Sequence, residues 1–172
     1  MTRPHVLSRT VVMQVSLPGV VAPSDADVAA RIADAAHALR FMLAGNAHIT
    51  FVSTRTGARF TYHVQLGSPR PGDTRPPVYF VSVLTAPDHY EYLGVIFPNN
   101  KAFAFAKEGK SRISQSAPSA KAFLWVWKHL RGGAAPAECE IWHEGRCGKC
   151  GRRLTDPQSI SSGLGPVCAG RS

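Results

Sequence analysis

The stretch AHITFVSTRTGARFTYHVQL, residues 47–66, decides the fold of this chain. Each half alternates apolar and polar side chains with a period of two, and residues 54–57 between the halves form a short polar turn that contains glycine. This pattern is typical of a β-hairpin with one buried and one solvated face. The stretch therefore predicts an antiparallel sheet.

The chain continues the same pattern after a proline- and glycine-rich loop at residues 67–77. Three further apolar segments, VYFVSVLT (78–85), YEYLGVIF (90–97) and KAFAFAK (101–107), are separated by short turns. Strands that follow one another closely in sequence usually lie side by side in the sheet. The sequence therefore predicts five strands in an antiparallel meander.

Two segments have the apolar spacing of helices. Residues 25–43 carry one apolar face, follow Ser24 as a capping residue and end before Gly45. Residues 118–130 place three large apolar side chains on one stripe and leave Trp125 off it. We therefore predict an α+β fold in which both helices pack on one face of the five-stranded sheet, followed by a small C-terminal metal module.

The C-terminal segment contains three of the four cysteines. Cys147 and Cys150 have the spacing of a zinc knuckle, and the glycine after each permits a tight turn. Cys168 follows the turn GLGP, so we expect it in the first turn of a helix, where the helix dipole stabilises a thiolate. A knuckle, a hairpin and then a ligand at a helix N-terminus is the layout of a treble-clef zinc finger.

Three thiolates leave a tetrahedral site one ligand short. Arg171 stands where a further cysteine would be expected, and it does not ligate metals. His143, four residues before Cys147, is our predicted fourth ligand, because a short tether costs little chain entropy and Trp142 is placed to shield the site. Cys139, eight residues before the knuckle, is the alternative.

Other uses of these cysteines fit less well. A thioredoxin-type redox pair begins a helix after a buried strand, whereas this pair lies in a turn rich in glycine and arginine. A disulfide scaffold requires an oxidising compartment. We therefore predict structural Zn²⁺, because the segment has almost no apolar core to stabilise it. Water or an external group as fourth ligand would open the site, and only then would the metal be catalytic.

The segment CGKCGRRLTDPQSISSGLGPVCA, residues 147–169, resembles the signature of an uncharacterised zinc-binding domain family of bacterial and phage proteins. The preceding WHEGR and the segments FVSTRTGARFTYHV, YFVSVL, YEYLG and APSAKAFLWVW are similar to parts of phage hypothetical proteins. The resemblance implies a treble-clef-like metal site at Cys147, Cys150 and Cys168, and a phage or prophage origin. It implies no known activity.

Positive charge is concentrated in the second half of the chain. Residues 1–100 contain eight Lys or Arg against six Asp or Glu, whereas residues 101–172 contain twelve against five. Such an excess attracts polyanions, and without a recognisable reading helix we predict contacts to the nucleic-acid backbone. The predicted nucleic-acid contacts are Arg146, Lys149, Arg152 and Arg153 around the knuckle, and Lys107, Lys110, Arg112 and Lys121 at the last strand and following helix.

These patterns lead to a ranked set of functions. We expect a non-enzymatic, zinc-containing phage-type protein that binds DNA or RNA. The alternative is a protein–protein interaction module that inhibits or modulates a host factor. The third is an unrecognised nucleic-acid-processing enzyme, which a cluster of carboxylate and histidine side chains in the folded sheet would favour, since no known catalytic motif occurs.

The expected organisation is a flexible tail at residues 1–23, a sheet domain at 24–131, a linker at 132–140 and a zinc-binding module at 141–172. No segment approaches the roughly 18 apolar residues of a membrane-spanning helix. The N-terminal apolar run is short and polar residues interrupt it, so we discount a signal peptide. We expect a cytoplasmic protein, in the host bacterium if phage-encoded, with reduced cysteines.

Overall fold

A computed structural model describes residues 30–69, 71–99 and 101–170 of the chain. These residues form an α+β fold in which one antiparallel sheet of seven strands carries two longer helices on the same face. The elements, in chain order, are β1 Arg31–Ile32, α1 Ala35–Met42, β2 Asn46–Ser53, β3 Arg59–Leu66, β4 Tyr79–Ala86, β5 His89–Ile96, β6 Phe103–Phe105, α2 Pro118–Arg131, β7 Cys139–His143, α3 Pro157–Ser162 and α4 Pro166–Ala169.

The sheet contains the predicted meander and extends beyond it. Its strand order is β1-β7-β2-β3-β4-β5-β6, and every neighbouring pair is antiparallel. Strands β2 to β6 are the five that the sequence predicts. The described residues add two strands at the β2 edge, so the prediction of five strands is corrected to seven.

The first helix begins later than the sequence predicts. The predicted start at Ser24 lies outside the described residues, and β1 lies where residues 31 and 32 were expected to be helical. Asp34 is the N-cap of α1, and its carboxylate accepts a hydrogen bond of 2.6 Å from the His37 N–H. Ile32 is buried because it pairs opposite Ile141 in the sheet, so its apolar character reflects a strand.

Strand β7 joins the end of the chain to the sheet. It lies between β1 and β2, and it includes residues 139 and 140, which the sequence places in a linker. Its side chains alternate, with Ile141 and His143 buried and Glu140 and Trp142 only partly covered. The cysteine module, which we define as residues 144–170, therefore leaves directly from a sheet strand.

The two faces of the sheet differ in their cover. On the inner face, α1 and α2 pack on the apolar core, and the stripe of α2 contributes Phe123, Trp127 and Leu130, as predicted. The outer face is the opposite one, and it carries polar and aromatic side chains of β2 to β5, including His48 and His63. None of the described helices is long and apolar enough to cross a bilayer.

Two tryptophans of α2 test this packing. Trp127 is 1% exposed, whereas Trp125, two residues earlier on the same helix, is 41% exposed. We expect Trp127→Ala to lower the free energy of unfolding by about 3–5 kcal/mol because it removes a large core side chain. Trp125→Ala should cost less than about 1 kcal/mol. Urea unfolding of both variants checks this, and equal losses would contradict the described helix orientation.

Candidate metal centre

Three cysteines of the module converge on one point. The sulfur atoms of Cys147, Cys150 and Cys168 all lie within 4.8 Å of one another. The first two lie in a hairpin that is closed by a bridge between Arg146 and Arg153, and Cys168 lies in the four-residue helix α4. The sequence prediction of these three residues as neighbours agrees with this geometry.

The hairpin brings the first two sulfurs together through backbone hydrogen bonds. The N–H of Cys147 donates to the carbonyl of Arg152 at 2.8 Å, and the N–H of Gly151 donates back to the carbonyl of Cys147 at 2.9 Å. Gly151 has φ +73°, a left-handed conformation that side-chain-bearing residues rarely adopt. The glycine after the second cysteine is therefore what allows the turn to close.

The surroundings favour negative charge on one sulfur. Burial alone would raise the pKa of the Cys147 thiol, but hydrogen bonds from the backbone N–H groups of Gly165, Cys150 and Lys149 lower the pKa to about 7. A hydrogen bond with Cys150, then burial and the neighbouring Cys147, raise the pKa of Cys168 to about 11. A second negative charge is thus costly here unless a cation offsets it.

Three thiol groups at this separation could hold a metal ion. Soft sulfur ligands suit Zn²⁺, and the N–H of Gly165, 3.5 Å from the Cys147 sulfur, would support a bound thiolate. A cation would remove the repulsion between the sulfurs and release their protons. The donor set therefore fits a metal of this kind.

His143, the predicted fourth ligand, lies outside this group of three sulfurs. His143 is the last residue of β7, and the alternation of side chains along the strand places it on the inner face, toward the core. Its ring centroid lies 5.2 Å from that of Phe41. Its Nε2 is 2.8 Å from the Ile160 carbonyl, and its Nδ1 accepts from the Gly145 N–H at 3.1 Å. Both ring nitrogens are thus engaged with backbone, and burial lowers the pKa of this imidazole.

Cys139, the alternative ligand, is also placed elsewhere. It begins β7, whereas the module leaves from the other end of that strand at His143. Four residues of extended chain separate the two ends by roughly 13 Å. Burial raises the pKa of the Cys139 thiol to about 11, so it is an ordinary half-buried side chain.

Phe41 is the site residue that sequence reasoning missed. This side chain of α1 is 1% exposed, and its ring packs directly against two glycines of the module. A Cβ atom added at Gly148 would lie 2.9 Å from the ring, and one added at Gly163 would lie 2.5 Å from it, so neither position has room for a side chain. The Asn46 N–H also donates to the Gly148 carbonyl at 2.6 Å. The glycines of the module were visible in the sequence, but their aromatic partner lies about a hundred residues away.

The structure separates the two predicted groups of basic residues. Arg146, Arg152 and Arg153 are exposed on the cysteine module, beyond β7. Lys107, Lys110 and Arg112 follow β6 at the opposite edge of the sheet, where Arg112 pairs with Glu91 at 3.6 Å. Lys149 is exposed with the first group, and Lys121 is exposed on α2 at the inner-face side.

Comparison with known protein families gives a match to the C-terminal segment of the chain. Residues 142–172 match the model of a Family of unknown function (DUF6011). The match is confined to the segment that contains the three converging cysteines, and the description of the family names neither a metal, an activity nor a source. No curated protein and no solved structure matches the chain.

Metal analysis tests the ligand set. We expect the purified chain to hold one metal ion, and Cys150→Ser to reduce it far below one per chain because a sulfur of the cluster is lost. Cys139→Ser should keep the ion, since this thiol lies outside the cluster. His143→Gln distinguishes the two ligand sets. The metal would be lost if His143 were the fourth ligand, as the sequence predicts, and it should be kept if His143 lies outside the cluster, as in the structure. An equal loss in Cys139→Ser would contradict this assignment.

The contact with Phe41 generates a second test. Gly148→Ala should lower the free energy of unfolding by about 1–3 kcal/mol because its new methyl group overlaps the Phe41 ring. Gly165→Ala is a matched control, since its Cβ would lie 3.7 Å from Leu154 in ordinary contact. It should cost about 1 kcal/mol or less. Thermal unfolding measures both, and an unaffected Gly148→Ala would exclude the tight packing.

Proposed function

We propose that this chain binds nucleic acid through the basic side chains of its cysteine module, which a structural Zn²⁺ ion stabilises. In this proposal Cys147, Cys150 and Cys168 hold the ion in a treble-clef-like arrangement. The ion offsets the charge of the thiolates and fixes the hairpin between Arg146 and Arg153. Because the described residues bring together three sulfurs only, water or an external group would complete the coordination, and in this proposal the role of the metal is to order the binding surface.

One observation carries this proposal: three arginines of the hairpin face solvent without an acidic partner. Arg146, Arg152 and Arg153 are exposed, and no described side chain forms a salt bridge with them. A guanidinium group presents five N–H donors in a planar fork that matches the oxygens of a phosphate. Arg146 donates one weak bond to the Gly151 carbonyl at 3.4 Å, which leaves most of its fork for a ligand. The arrangement thus favours a phosphate ligand.

A cleft of about 620 Å³ extends this surface onto the sheet. Arg153 of the module and Arg59 of β3 both line the cleft, together with the indole of Trp142. Two carboxylates also line the cleft. Glu140 pairs with Arg31 at 3.3 Å and accepts from the Trp142 N–H at 3.2 Å, and Glu144 lies 4.0 Å from Nδ1 of His48. Two guanidinium groups beside an aromatic ring suit a nucleotide, whose phosphate and base they would contact.

The expected contacts are to the backbone of the nucleic acid. The helices of the module, α3 and α4, have six and four residues, too short to serve as a helix that reads a groove. The second group, Lys107, Lys110 and Arg112, lies at the far edge of the sheet, so in this proposal it adds long-range attraction to the contacts made by the module. The phage origin and the cytoplasmic location stay predictions.

Charge reversal tests the proposed surface. We expect Arg152→Glu/Arg153→Glu to weaken binding of a fluorescent oligonucleotide by tenfold or more at low salt. It should also reduce the slope of log K against log salt by roughly 1.5 to 2, since two phosphate contacts are lost. Fluorescence anisotropy at several salt concentrations measures both quantities.

Lys107→Glu/Lys110→Glu provides a control with the same change in net charge. It should weaken binding less than the arginine pair, because its residues lie at the opposite edge. Equal effects of the two variants would show that only net charge matters. Binding that ignores both salt and Arg152→Glu/Arg153→Glu would refute the proposed function.

A second candidate is a protein-interaction module, and one surface favours it. A groove of about 450 Å³ lies between α2 and the turn of the β2–β3 hairpin. It is lined by apolar side chains that include Phe51, Phe60 and the exposed Trp125, with Lys121 and Arg55 beside them. Exposed aromatic side chains in a groove are typical of protein interfaces. Loss of partner capture in Trp125→Ala, with nucleic-acid binding unchanged, would support this candidate.

A further inference from the structure

Two histidines of the outer face form a pair that the proposed binding function leaves unused. His48 of β2 lies directly opposite His63 of β3, and their rings stack with centroids 4.2 Å apart and an interplanar angle of 15°. Both are half-buried. Tyr90 of β5 reaches across and meets each ring edge-on, with centroids 5.6 and 5.7 Å away.

Each imidazole is held through one nitrogen and leaves the other available. The Nδ1 of His48 is 3.0 Å from the Tyr90 hydroxyl and 4.0 Å from the Glu144 carboxylate. The Nε2 of His63 is 2.6 Å from the Asn46 side-chain oxygen. Within the described part of the chain, Nε2 of His48 and Nδ1 of His63 form no hydrogen bond. Fixed rings with available nitrogens are what proton transfer to a bound substrate requires.

The partners of the two rings set different roles. The Asn46 oxygen only accepts, so it holds a proton on Nε2 of His63 and leaves Nδ1 as a lone pair able to accept a proton. The Glu144 carboxylate lies 4.0 Å from Nδ1 of His48, so it is placed to pair with the imidazolium when that forms. Burial and then Arg146 lower the pKa of His48, which makes the Nε2–H of its imidazolium a readier proton donor. The pair thus combines a base and an acid on adjacent strands.

The surrounding charges connect this pair to the phosphate-binding surface. The positive charge of Arg146, one of the module arginines, acts on His48 and, after burial, contributes to lowering its pKa. Burial and then His48 lower the pKa of His63, while Glu144 opposes them. Tyr90 and Glu144 are the other titratable groups of the cluster, and burial raises the pKa of the Tyr90 phenol, which keeps it protonated.

We propose that His48 and His63 cleave RNA by metal-independent transesterification. His63 Nδ1 takes the proton of a ribose 2′-hydroxyl, whose oxygen attacks the adjacent phosphorus. The bond from phosphorus to the 5′-oxygen breaks, and His48 Nε2–H gives its proton to that leaving oxygen. The products are a 2′,3′-cyclic phosphate and a 5′-hydroxyl end, and Arg146 offsets the negative charge that develops on the phosphorane.

This activity rests on the proposed function, because the arginines of the module would bring the RNA to the histidines. It specifies RNA among the possible ligands, since DNA lacks the attacking hydroxyl. The two histidines lie in the sheet and the nearby carboxylate, Glu144, lies in the module, so the group is close to the carboxylate and histidine cluster expected of an enzyme.

The test uses the full chain with its metal, a labelled RNA oligonucleotide and the same sequence with 2′-O-methyl groups. We expect cleavage of the RNA only, with 2′,3′-cyclic phosphate ends identified by mass spectrometry. His48→Ala and His63→Ala should each slow cleavage at least a hundredfold, as loss of a general acid or base does. The control His89→Ala alters an exposed histidine at the start of β5 that pairs with Glu91, and it should cleave at the wild-type rate.

The pH profile provides an independent readout. Because one histidine must be neutral and the other charged, kcat/KM should be bell-shaped. Both pKa values are lowered from 6.5, so the maximum should lie on the acid side of pH 6.5. A contaminating nuclease would give a rate that is the same in wild type, His48→Ala and His63→Ala, and this result would overturn the proposal.

Binding of the 2′-O-methyl RNA separates the two hypotheses. Wild-type binding without cleavage of the unmodified RNA overturns the catalytic proposal and leaves the binding function intact. Absence of binding and of cleavage overturns both. His48→Ala and His63→Ala should still bind the 2′-O-methyl RNA within a few-fold of wild type, which shows that they are folded. If both variants keep the wild-type circular dichroism spectrum but lose binding as much as they lose cleavage, the slower cleavage follows from weaker binding, and the assignment of the histidines as acid and base fails.

Discussion

The contact between Phe41 and the glycines of the cysteine module is the constraint on which the rest of the structure depends. A small segment with little apolar core gains its position from a ring that is buried in the main core of the sheet domain. Gly148 and Gly163 permit this approach because neither has a side chain that would occupy the space of the ring. The three sulfurs are consequently held at the end of the sheet, directly after β7.

This position gives the module two different sides. Toward the core, its backbone meets Phe41 and His143, so that side is apolar and fully covered. Toward the outer face, Arg153 lines a cleft with Trp142, and the charge of Arg146 acts on His48. A bound metal ion would stabilise the module without changing how the module is oriented on the sheet, because all three sulfur ligands come from the module itself. In the proposed function the metal therefore orders a surface whose direction the sheet has already set.

Several parts of the site follow from local patterns. The turn at residues 54–57 fixes the register of the β2–β3 hairpin, and this register alone places His48 opposite His63 on the polar face. The sequence therefore contains the signal for this pair, although neither histidine belongs to a recognised catalytic motif. By contrast, Tyr90 and Glu144 come from distant segments, and only the sheet order brings them to the same histidine. The error at β1 has a similar cause, because a single buried isoleucine fits a helix face and a strand face equally well until its partner β7 is known.

By itself, the sequence determined the features that depend on near neighbours: the meander of β2 to β6, the helix α2 with its buried stripe, and the Cys-x-x-Cys turn with its glycines. Periodicity and turn chemistry act over a few residues, so they are readable along the chain. The tertiary structure alone decided that β7 enters the sheet and that His143 turns toward Phe41 and away from the sulfurs. It also decided that one basic group follows β7 while the other follows the distant edge strand β6. These outcomes depend on which segments, far apart in sequence, bury their apolar surfaces against each other. The free energy of the complete fold determines those contacts, so they cannot be read from neighbouring residues.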